Sequence, residues 1–395
     1  MYPVRHCSSL IQRDLAALCR SSLGSARKPA AGVKPSLSPP SLRGVSRCAV
    51  ASTGPRQLTT SRSPSAQVCQ MGSSSSSRFF SSLAQSLSRA PLEHTHTDAE
   101  ECELDQADPE MLLRECEEVL RKRPPRPHRD FIRTRASAAH NPQIRVMQWN
   151  ILAQALGEGK DGFVRCPMEA LNWAERKYLI LEEILTYRPD IVCLQEVDHY
   201  YDTFQPVMSS LGYQSSFCPK PCSPCLDVCG NNGPDGCALF FSRERFHLLH
   251  IHHLRLSAMS LKTNQVAVVA TLQCQQQEEA VPLFVCGDFN AEPGEEVYRR
   301  FMNSPLSLDS AYRTLSTDGT TEPSYTTWKI RPSGESCTTL DYVWYSRNGF
   351  SVDAVLSMPS EEQIGPDRLP SYHYPSDHLS LVCDFSFIQE PHRLM

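Results

Sequence analysis

No run of about 18 apolar residues occurs in the 395-residue chain, so the sequence excludes a transmembrane helix. No fixed repeat period is present either, and this excludes collagen, coiled-coil and repeat architectures. Hydrophobic residues make up 40% of the chain, and its mean hydropathy is -0.36. The length fits either two or three domains or one large domain with a tail.

Acidic residues are nearly absent from residues 1–92, which contain 12 Lys and Arg but only one acid, Asp14. Residues 93–395 carry 27 basic and 43 acidic residues, a net charge of -16. Apolar residues between positions 10 and 18 recur at helical spacing beside arginines. This pattern predicts a disordered basic targeting region with a mitochondrial transit peptide. A plain disordered tail is the alternative.

A second possible start of the protein lies at Met71. Translation from this position would make Gly72 the N-terminal residue, in the N-myristoylation pattern Met-Gly-Ser-Ser-Ser-Ser. The hypothesis is a mitochondrial form together with a cytoplasmic or weakly membrane-attached form that lacks most of the targeting region. A serine-rich linker is the alternative interpretation.

The 17 cysteines are odd in number, and no secretory signal accompanies them. We therefore expect a reducing compartment with mostly free thiols. Four of them have the spacing C-x₃-C-x₂-C-x₃-C, namely Cys218, Cys222, Cys225 and Cys229. A zinc or iron–sulfur site is one interpretation of this cluster. Free thiols in a proline-rich loop are the favoured one.

The remaining sequence predicts a linker, a helix and an α/β domain. Residues 93–140 begin with an acidic linker, and Asp108-Pro109 then indicates the start of an amphipathic helix that ends before Pro124. From about Ile144, short apolar strands alternate with a helix over residues 169–187. We assign residues 141–390 to one α/β domain.

Polar side chains stand at the ends of five predicted strands. They are Asn150, Glu196, the pair Asp288 and Asn290, Asp341, and the pair Asp377 and His378. If these strand ends meet at one edge of a sheet, they form an acidic, oxygen-rich pocket. Oxygen ligands favour Mg²⁺ or Mn²⁺ over Zn²⁺. An ion bound in this way commonly acts on phosphates, so the sequence predicts a metal-dependent phosphohydrolase.

The same residues, in the same order, resemble the endonuclease/exonuclease/phosphatase superfamily, and within it the deadenylase-like branch. The similarity covers about residues 108–390, including the runs Val-Met-Gln-Trp-Asn-Ile-Leu-Ala-Gln, Asn-Asn-Gly-Pro-Asp-Gly and Tyr-Thr-Thr-Trp. The resemblance implies a two-sheet α/β sandwich with one Mg²⁺ at the sheet edges. It further implies that Glu196 is the principal metal ligand, with Asn150 and Asp377 near the ion or the phosphate.

The resemblance also implies catalytic roles. Asp288 would orient or deprotonate the attacking water, and Asn290 would hold a phosphate oxygen. His378, oriented by Asp341, would contact the phosphate and stabilise its charge, a role that suits a histidine held by a carboxylate. The implied reaction is in-line attack of water on phosphorus.

One part of the family pattern is missing. Members have a further strand and helix before the Gly-Asp-Phe-Asn segment, and this strand ends in Thr-His-Leu. Here only Gln273–Pro282 follow Leu272, and no histidine lies between His253 and His373. We predict that a block of roughly 30–40 residues is absent near residues 273–281. Losing an internal strand removes ladder hydrogen bonds, so we expect a destabilised domain with little or no turnover.

The charge of the domain bears on its substrate. Residues 131–395 contain 21 basic and 31 acidic residues, a net charge of -10, which disfavours tight nonspecific binding of nucleic acid. The branch includes mRNA deadenylases and an enzyme associated with removal of the 2′-phosphate of NADP⁺ and NADPH. We favour NADP(H) as the substrate, and we expect the protein to be a monomer. The resemblance implies that Lys220 and Arg368, and more weakly Asn264, bind the nucleotide.

Two alternatives stay open. The first is a poly(A)-specific 3′ exoribonuclease that acts on mRNA, with an mRNA-decay partner. The second is a catalytically impaired form that serves as a binding protein, and the missing block is its support in the sequence.

Overall fold

The computed structural model describes residues 106–134, 143–258, 261–275 and 282–388. The predicted targeting region, Met71 and most of the acidic linker lie outside the described residues. None of the helices within these ranges is long and apolar enough to cross a membrane.

Six α-helices and fourteen β-strands lie in the described ranges. The helices are α1 (Pro109–Leu120), α2 (Met168–Leu171), α3 (Trp173–Tyr187), α4 (Gln205–Ser210), α5 (Glu296–Met302) and α6 (Glu361–Ile364). The strands are β1 (Phe131–Arg133), β2 (Gln143–Asn150), β3 (Ile191–Val197), β4 (Tyr213–Pro219), β5 (Gly236–Ser242), β6 (Phe246–Ala258), β7 (Leu261–Cys274), β8 (Phe284–Asp288), β9 (Leu308–Ser310), β10 (Thr327–Arg331), β11 (Gly334–Thr338), β12 (Asp341–Ser346), β13 (Phe350–Leu356) and β14 (Leu381–Phe387).

Seven strands form the largest sheet, in the order β1-β13-β14-β2-β3-β5-β4. Within this sheet β2 and β3 are parallel, and both are rich in buried apolar residues because each of their faces is covered. One face packs against α1, α3 and α4, and the other packs against the second layer of strands. The sheet therefore lies between two hydrophobic cores.

Helix α1 begins where the sequence predicts it to begin. The Asp108 side chain accepts a hydrogen bond of 3.0 Å from Glu110 N, and Pro109 occupies the first turn, where no backbone donor is needed. Leu112, Cys116 and Leu120 are buried against the main core. The predicted amphipathic helix is confirmed, and it packs on the α/β domain.

The second layer consists of separate pieces. A hairpin of β6 and β7 packs over β4 and β5. In the three-stranded sheet β8-β12-β9, strand β8 packs over β2 and β3. Within the described residues β7 pairs only with β6, and β8 pairs only with β12. The α/β fold with two layers of strands is confirmed. Its second layer is interrupted between β7 and β8, whose connection includes residues outside the described ranges.

Candidate active site

The parallel strands β2 and β3 bring the first two predicted site residues together. Asn150 is the last residue of β2 and lies in register with Gln195, next to Glu196. The Asn150 Nδ2 donates hydrogen bonds to Glu196 Oε1 at 3.0 Å and to Asp288 Oδ2 at 3.1 Å. Residues from β2, β3 and β8 thus meet at one edge, as the sequence predicts.

Two of these residues have a backbone conformation that is unusual for side chains with a Cβ atom. Glu196 has φ 55° at an irregularity between β3 and β5, and Asn290 has φ 47° just after β8. A left-handed residue other than glycine is strained, and such strain is concentrated at functional sites. The surrounding sheets hold both residues in place.

His378 and Asp341 form a buried pair. His378 Nδ1 lies 2.8 Å from Asp341 Oδ2, and the same carboxylate accepts hydrogen bonds from Thr326 Oγ1 at 2.6 Å and Gln148 Nε2 at 3.1 Å. Burial alone would lower the pKa of His378, but Asp341, Asp377 and Asp288 together raise it to about 10. The imidazole is therefore positively charged at neutral pH.

The carboxylates at this edge fit a divalent cation. Burial, with the nearby charge of Asp377, raises the pKa of Glu196 to about 7. No Lys or Arg of the described ranges forms an ion pair with Glu196 or Asp288. Ligand atoms of Asp288, Asp341 and His378 lie within 4.8 Å of one another. A protonated imidazole has no lone pair for a cation and already pairs with Asp341, so Asp288 and Glu196 are the available carboxylates. A cation would relieve the repulsion between these acids, and their oxygen donors suit a hard ion.

A cavity of about 300 Å³ opens at this edge. It is lined by Leu156, Lys160, Asp161, Glu196, Pro224, Asp288, Asn290, Lys329, Arg331, Asp377 and His378. Five of these lining residues are predicted site residues, and Asn150 and Asp341 contact them directly. A small phosphate ester can therefore reach the carboxylates, the amide and the imidazole together.

Asp377 lies in the cavity but already has cationic partners. Its Oδ2 is 2.5 Å from Lys329 Nζ and 3.7 Å from Arg331 Nη2. Burial favours the protonated acid, but Lys329, His378 and Arg331 outweigh it and hold the pKa of Asp377 well below its usual range. Glu196 is the better candidate for the principal metal ligand, and Asp377 mainly orients Lys329.

Sequence reasoning did not identify Lys329 and Arg331. Both belong to β10 and line the cavity. A signal was available, since Lys329 directly follows the Tyr-Thr-Thr-Trp run that carries part of the family resemblance. Both side chains face the site because β10 pairs with β11 and because Thr327 of β10 forms a β-bridge with His378.

The structure does not place Arg368 on the cavity wall. Its guanidinium lies over the Trp328 ring, 4.0 Å from the centroid, and pairs with Glu335 at 2.7 Å and Glu361 at 2.8 Å. The aromatic ring and the two acids hold the Arg368 guanidinium, and Arg331 lines the cavity instead. Nucleotide binding by Arg368 stays a prediction.

Asn264 and Lys220 also have partners within the protein, and nucleotide binding by either residue stays a prediction. The side chain of Asn264 exchanges hydrogen bonds with the backbone of Cys222, at 2.9 and 2.6 Å, and so fixes a loop. Lys220 pairs with the buried Asp235 at 2.6 Å and does not line the cavity. Its charge still acts on Glu196, whose pKa it lowers against the effect of burial.

The four clustered cysteines do not lie together at the site. Cys218 and Cys225 are buried, whereas Cys222 and Cys229 are exposed on the loop between β4 and β5. In the part of the chain that the structure describes, these four residues form no group with the spacing of a metal site.

Comparison with known proteins gives consistent matches. The model of the "Endonuclease/Exonuclease/phosphatase family" matches residues 147–378. The chain is 52% identical to mouse nocturnin over 440 aligned positions, which cover 99% of each protein. It is also 52% identical to human nocturnin, with 98% of each protein covered. Because the mouse alignment has 440 positions and this chain has 395 residues, at least 45 positions have no counterpart here.

Two solved structures share the fold. The human nocturnin catalytic domain, determined with a bound sulfate anion, is 51% identical and has a TM-score of 0.56, covering 67% of this chain and 99% of that domain. ANGEL2, described as a 2′,3′-cyclic phosphatase, is 23% identical with a TM-score of 0.53, covering 66% of this chain and 99% of that chain. More distant relatives include a Ccr4 3′-5′-exoribonuclease subunit of Emericella nidulans, at 23% identity over 70% of this chain and 57% of that protein.

Proposed function

The chain belongs to the endonuclease/exonuclease/phosphatase family, and from this we propose that it is a Mg²⁺-dependent phosphohydrolase that removes the 2′-phosphate of NADP⁺ and NADPH. The observation that carries the proposal is the meeting of Glu196, Asp288 and His378 at one cavity beside Lys329. This set combines a cation site with positive charge for a phosphate, and family membership supports the hydrolase class.

The metal would be held by oxygen donors. Glu196 would be its principal ligand, with Asn150 and Asp288 beside it, because these groups are already within hydrogen-bond reach of one another. When bound, the ion would neutralise charge on the phosphoryl oxygens. The all-oxygen character of these donors favours Mg²⁺, with Mn²⁺ as a substitute.

Three protein side chains would act on the attacking water and the phosphate. Asp288 would orient the attacking water and accept its proton. The Asn290 amide would hold a phosphate oxygen, and the Asn290 backbone N donates a hydrogen bond of 2.9 Å to Asp288 Oδ1. His378 carries positive charge toward the phosphate, because Asp341 fixes its Nδ1 side and leaves Nε2 on the cavity side. Preorganised charge of this kind stabilises the transition state of phosphoryl transfer.

Substrate choice follows from size and charge. The cavity of about 300 Å³ fits one phosphate group with the sugar that carries it, rather than a long chain. The net charge of -10 over residues 131–395 disfavours a polyanion. The related human domain binds sulfate, a tetrahedral anion with the geometry of phosphate. These observations support a terminal phosphate on a small nucleotide.

The test measures phosphate release from NADPH by the full chain in Mg²⁺, with shortening of a 15-residue oligoadenylate in parallel. Phosphate release from NADPH that Glu196→Ala abolishes would support the proposed activity. The matched control is Glu362→Ala, since Glu362 is exposed on α6. Shortening of oligoadenylate without phosphate release from NADPH would instead identify a deadenylase.

A second candidate function rests on the interrupted second layer. If the strand that would join β7 to β8 is absent, the site can be assembled yet support little turnover, and the chain would act as a binding protein. The experiment compares this chain with a variant that carries the missing strand and helix, by thermal melting and by NADPH turnover. Equal melting temperatures and equal rates would exclude this candidate.

We also propose that residues 1–92 direct a mitochondrial form, and that initiation at Met71 gives a cytoplasmic form with a myristoylated Gly72. The support is the single acid among 12 basic residues and the Met-Gly-Ser sequence. Mass spectrometry of N-terminal peptides from separated mitochondria and cytosol tests both forms. Absence of any peptide beginning at Gly72 would contradict the second.

A further inference from the structure

Each Lys or Arg on the cavity wall already has a carboxylate partner within the described residues. The pairs are Lys160 with Asp227 at 2.8 Å, Lys329 with Asp377 at 2.5 Å and Arg331 with Asp161 at 2.8 Å. The two lining acids that have no such partner are Glu196 and Asp288. The wall therefore offers no uncompensated positive charge.

The charge of the whole cluster can be counted. With the imidazole of His378 protonated and every carboxylate ionised, four cations face six carboxylates, which gives a net charge of -2 among these described residues. The carboxylates are Asp161, Glu196, Asp227, Asp288, Asp341 and Asp377. One divalent cation would bring the cluster to neutrality. A neutral site can hold one phosphate through directed hydrogen bonds, but it supplies no excess charge for the following phosphates of a polynucleotide.

Two of the acids lie outside the reacting centre. The Asp227 side chain is 75% exposed and the Asp161 side chain is 22% exposed, whereas Asp377 is buried. Their cations have second contacts, since Lys160 Nζ lies 3.4 Å from Pro224 O and Arg331 Nη2 lies 3.7 Å from Asp377 Oδ2. Asp377 also pairs with Lys329, so a neutral residue at 161 would leave these two cations with one carboxylate. Arginine and lysine would therefore keep their positions if these two acids lost their charge.

We propose that Asp161 and Asp227 are specificity-determining residues, which neutralise Arg331 and Lys160 and so restrict the cavity to a single phosphate monoester rather than a polynucleotide backbone. The inference rests on the proposed function for the identity of the favoured substrate. Its physical basis is that single-stranded nucleic acid gains affinity with each phosphate that an unpaired Lys or Arg neutralises, as counterions are released.

The experiment measures binding as well as turnover. Full-length chains carrying Asp161→Asn, Asp227→Asn or both are titrated with fluorescent 15-residue oligoadenylate and with 2′-AMP, at several salt concentrations. Asparagine keeps a hydrogen-bond acceptor and removes the charge. The control is Asp130→Asn, an exposed acid just before β1 that does not line the cavity, and Asp161→Glu is the charge-conserving variant.

We expect each neutralising variant to bind oligoadenylate roughly fivefold more tightly, with a smaller gain for 2′-AMP. The slope of log K against log salt should steepen by about 0.7 for each carboxylate removed. Asp161→Glu and Asp130→Asn should bind as the parent chain does. Unchanged oligoadenylate binding, an equal gain for both ligands or a gain in Asp130→Asn would overturn the inference. If the parent chain shows no NADPH turnover, this would count against the proposed function alone. The changes in binding affinity are measured without turnover and would still test the inference.

Discussion

Asp341 Oδ2 lies 2.8 Å from His378 Nδ1, and the two residues come from elements that the chain separates by 37 positions. Asp341 begins β12, while His378 precedes β14 in the other sheet. Trp149 in β2 also donates a hydrogen bond of 2.9 Å to the His378 carbonyl. The pair therefore joins the two layers and orients the imidazole toward the cavity.

Asp341→Asn should lower kcat for phosphate release by about 100-fold or more, with a smaller change in KM, because the amide neither holds the imidazolium nor stabilises its charge. Steady-state kinetics with NADPH gives both constants. Thr326→Val is the matched comparison, since it removes the Thr326 hydrogen bond to the Asp341 carboxylate, and those that Thr326 Oγ1 accepts from the backbone N of Leu340 and Asp341, but keeps the charge. A rate within threefold of the parent in Asp341→Asn would show that the pair is only structural.

Glu196 should make the stability of the metal-free protein depend on pH. Its pKa in the folded chain is about 7, above the ordinary value of 4.5, so the folded state binds this proton more tightly than the unfolded state. The free energy of unfolding should therefore fall as pH rises from about 4.5 to about 7, by on the order of 2 kcal/mol. Urea unfolding in EDTA at several pH values measures this fall.

The matched variant for this effect is Glu196→Gln, which has no proton to lose. It should flatten the pH dependence and also remove the rise in melting temperature that Mg²⁺ gives the parent chain. Retention of both effects in Glu196→Gln would assign them to other carboxylates.

Lys329→Met should destabilise the fold by about 3 kcal/mol, because it leaves the buried charge of Asp377 without its closest partner. The double variant Lys329→Met with Asp377→Asn should recover most of that loss. Guanidinium unfolding of the two single variants and the double variant gives the coupling energy. Additive effects would mean that the pair contributes nothing specific.

Backbone amides of β7 and β8 should exchange with solvent faster than those of β2 and β3. Within the described residues, β8 pairs on one side only, whereas β2 and β3 each have two neighbouring strands. Hydrogen–deuterium exchange followed by mass spectrometry measures this difference. In the variant that carries the missing strand, protection should rise at β7 and β8 but not at β2. Equal protection of all four strands in this chain would argue against an open edge.

Several features of the fold were predictable from local sequence. The cap at Asp108, the buried strands β2 and β3 and the long helix over residues 169–187 follow from residue patterns alone, although Asn172 divides that helix into α2 and α3. The strand over Tyr213–Pro219 was not predicted, because it mixes polar residues with cysteine and proline. Edge strands of this kind are stabilised by their neighbour, here β5, more than by their own composition.

The amino-acid sequence by itself determined which polar side chains meet at the cavity, because Asn150, Glu196, Asp288 and His378 each lie at or beside the end of a strand. Only the tertiary structure decided which cations face them. Arg331 rather than Arg368 enters the cavity, since β10 bridges to His378 while Trp328 and two glutamates hold Arg368 away. The physical reason is that a long charged side chain goes to its nearest compensating partners, and packing of separate strands creates those partners.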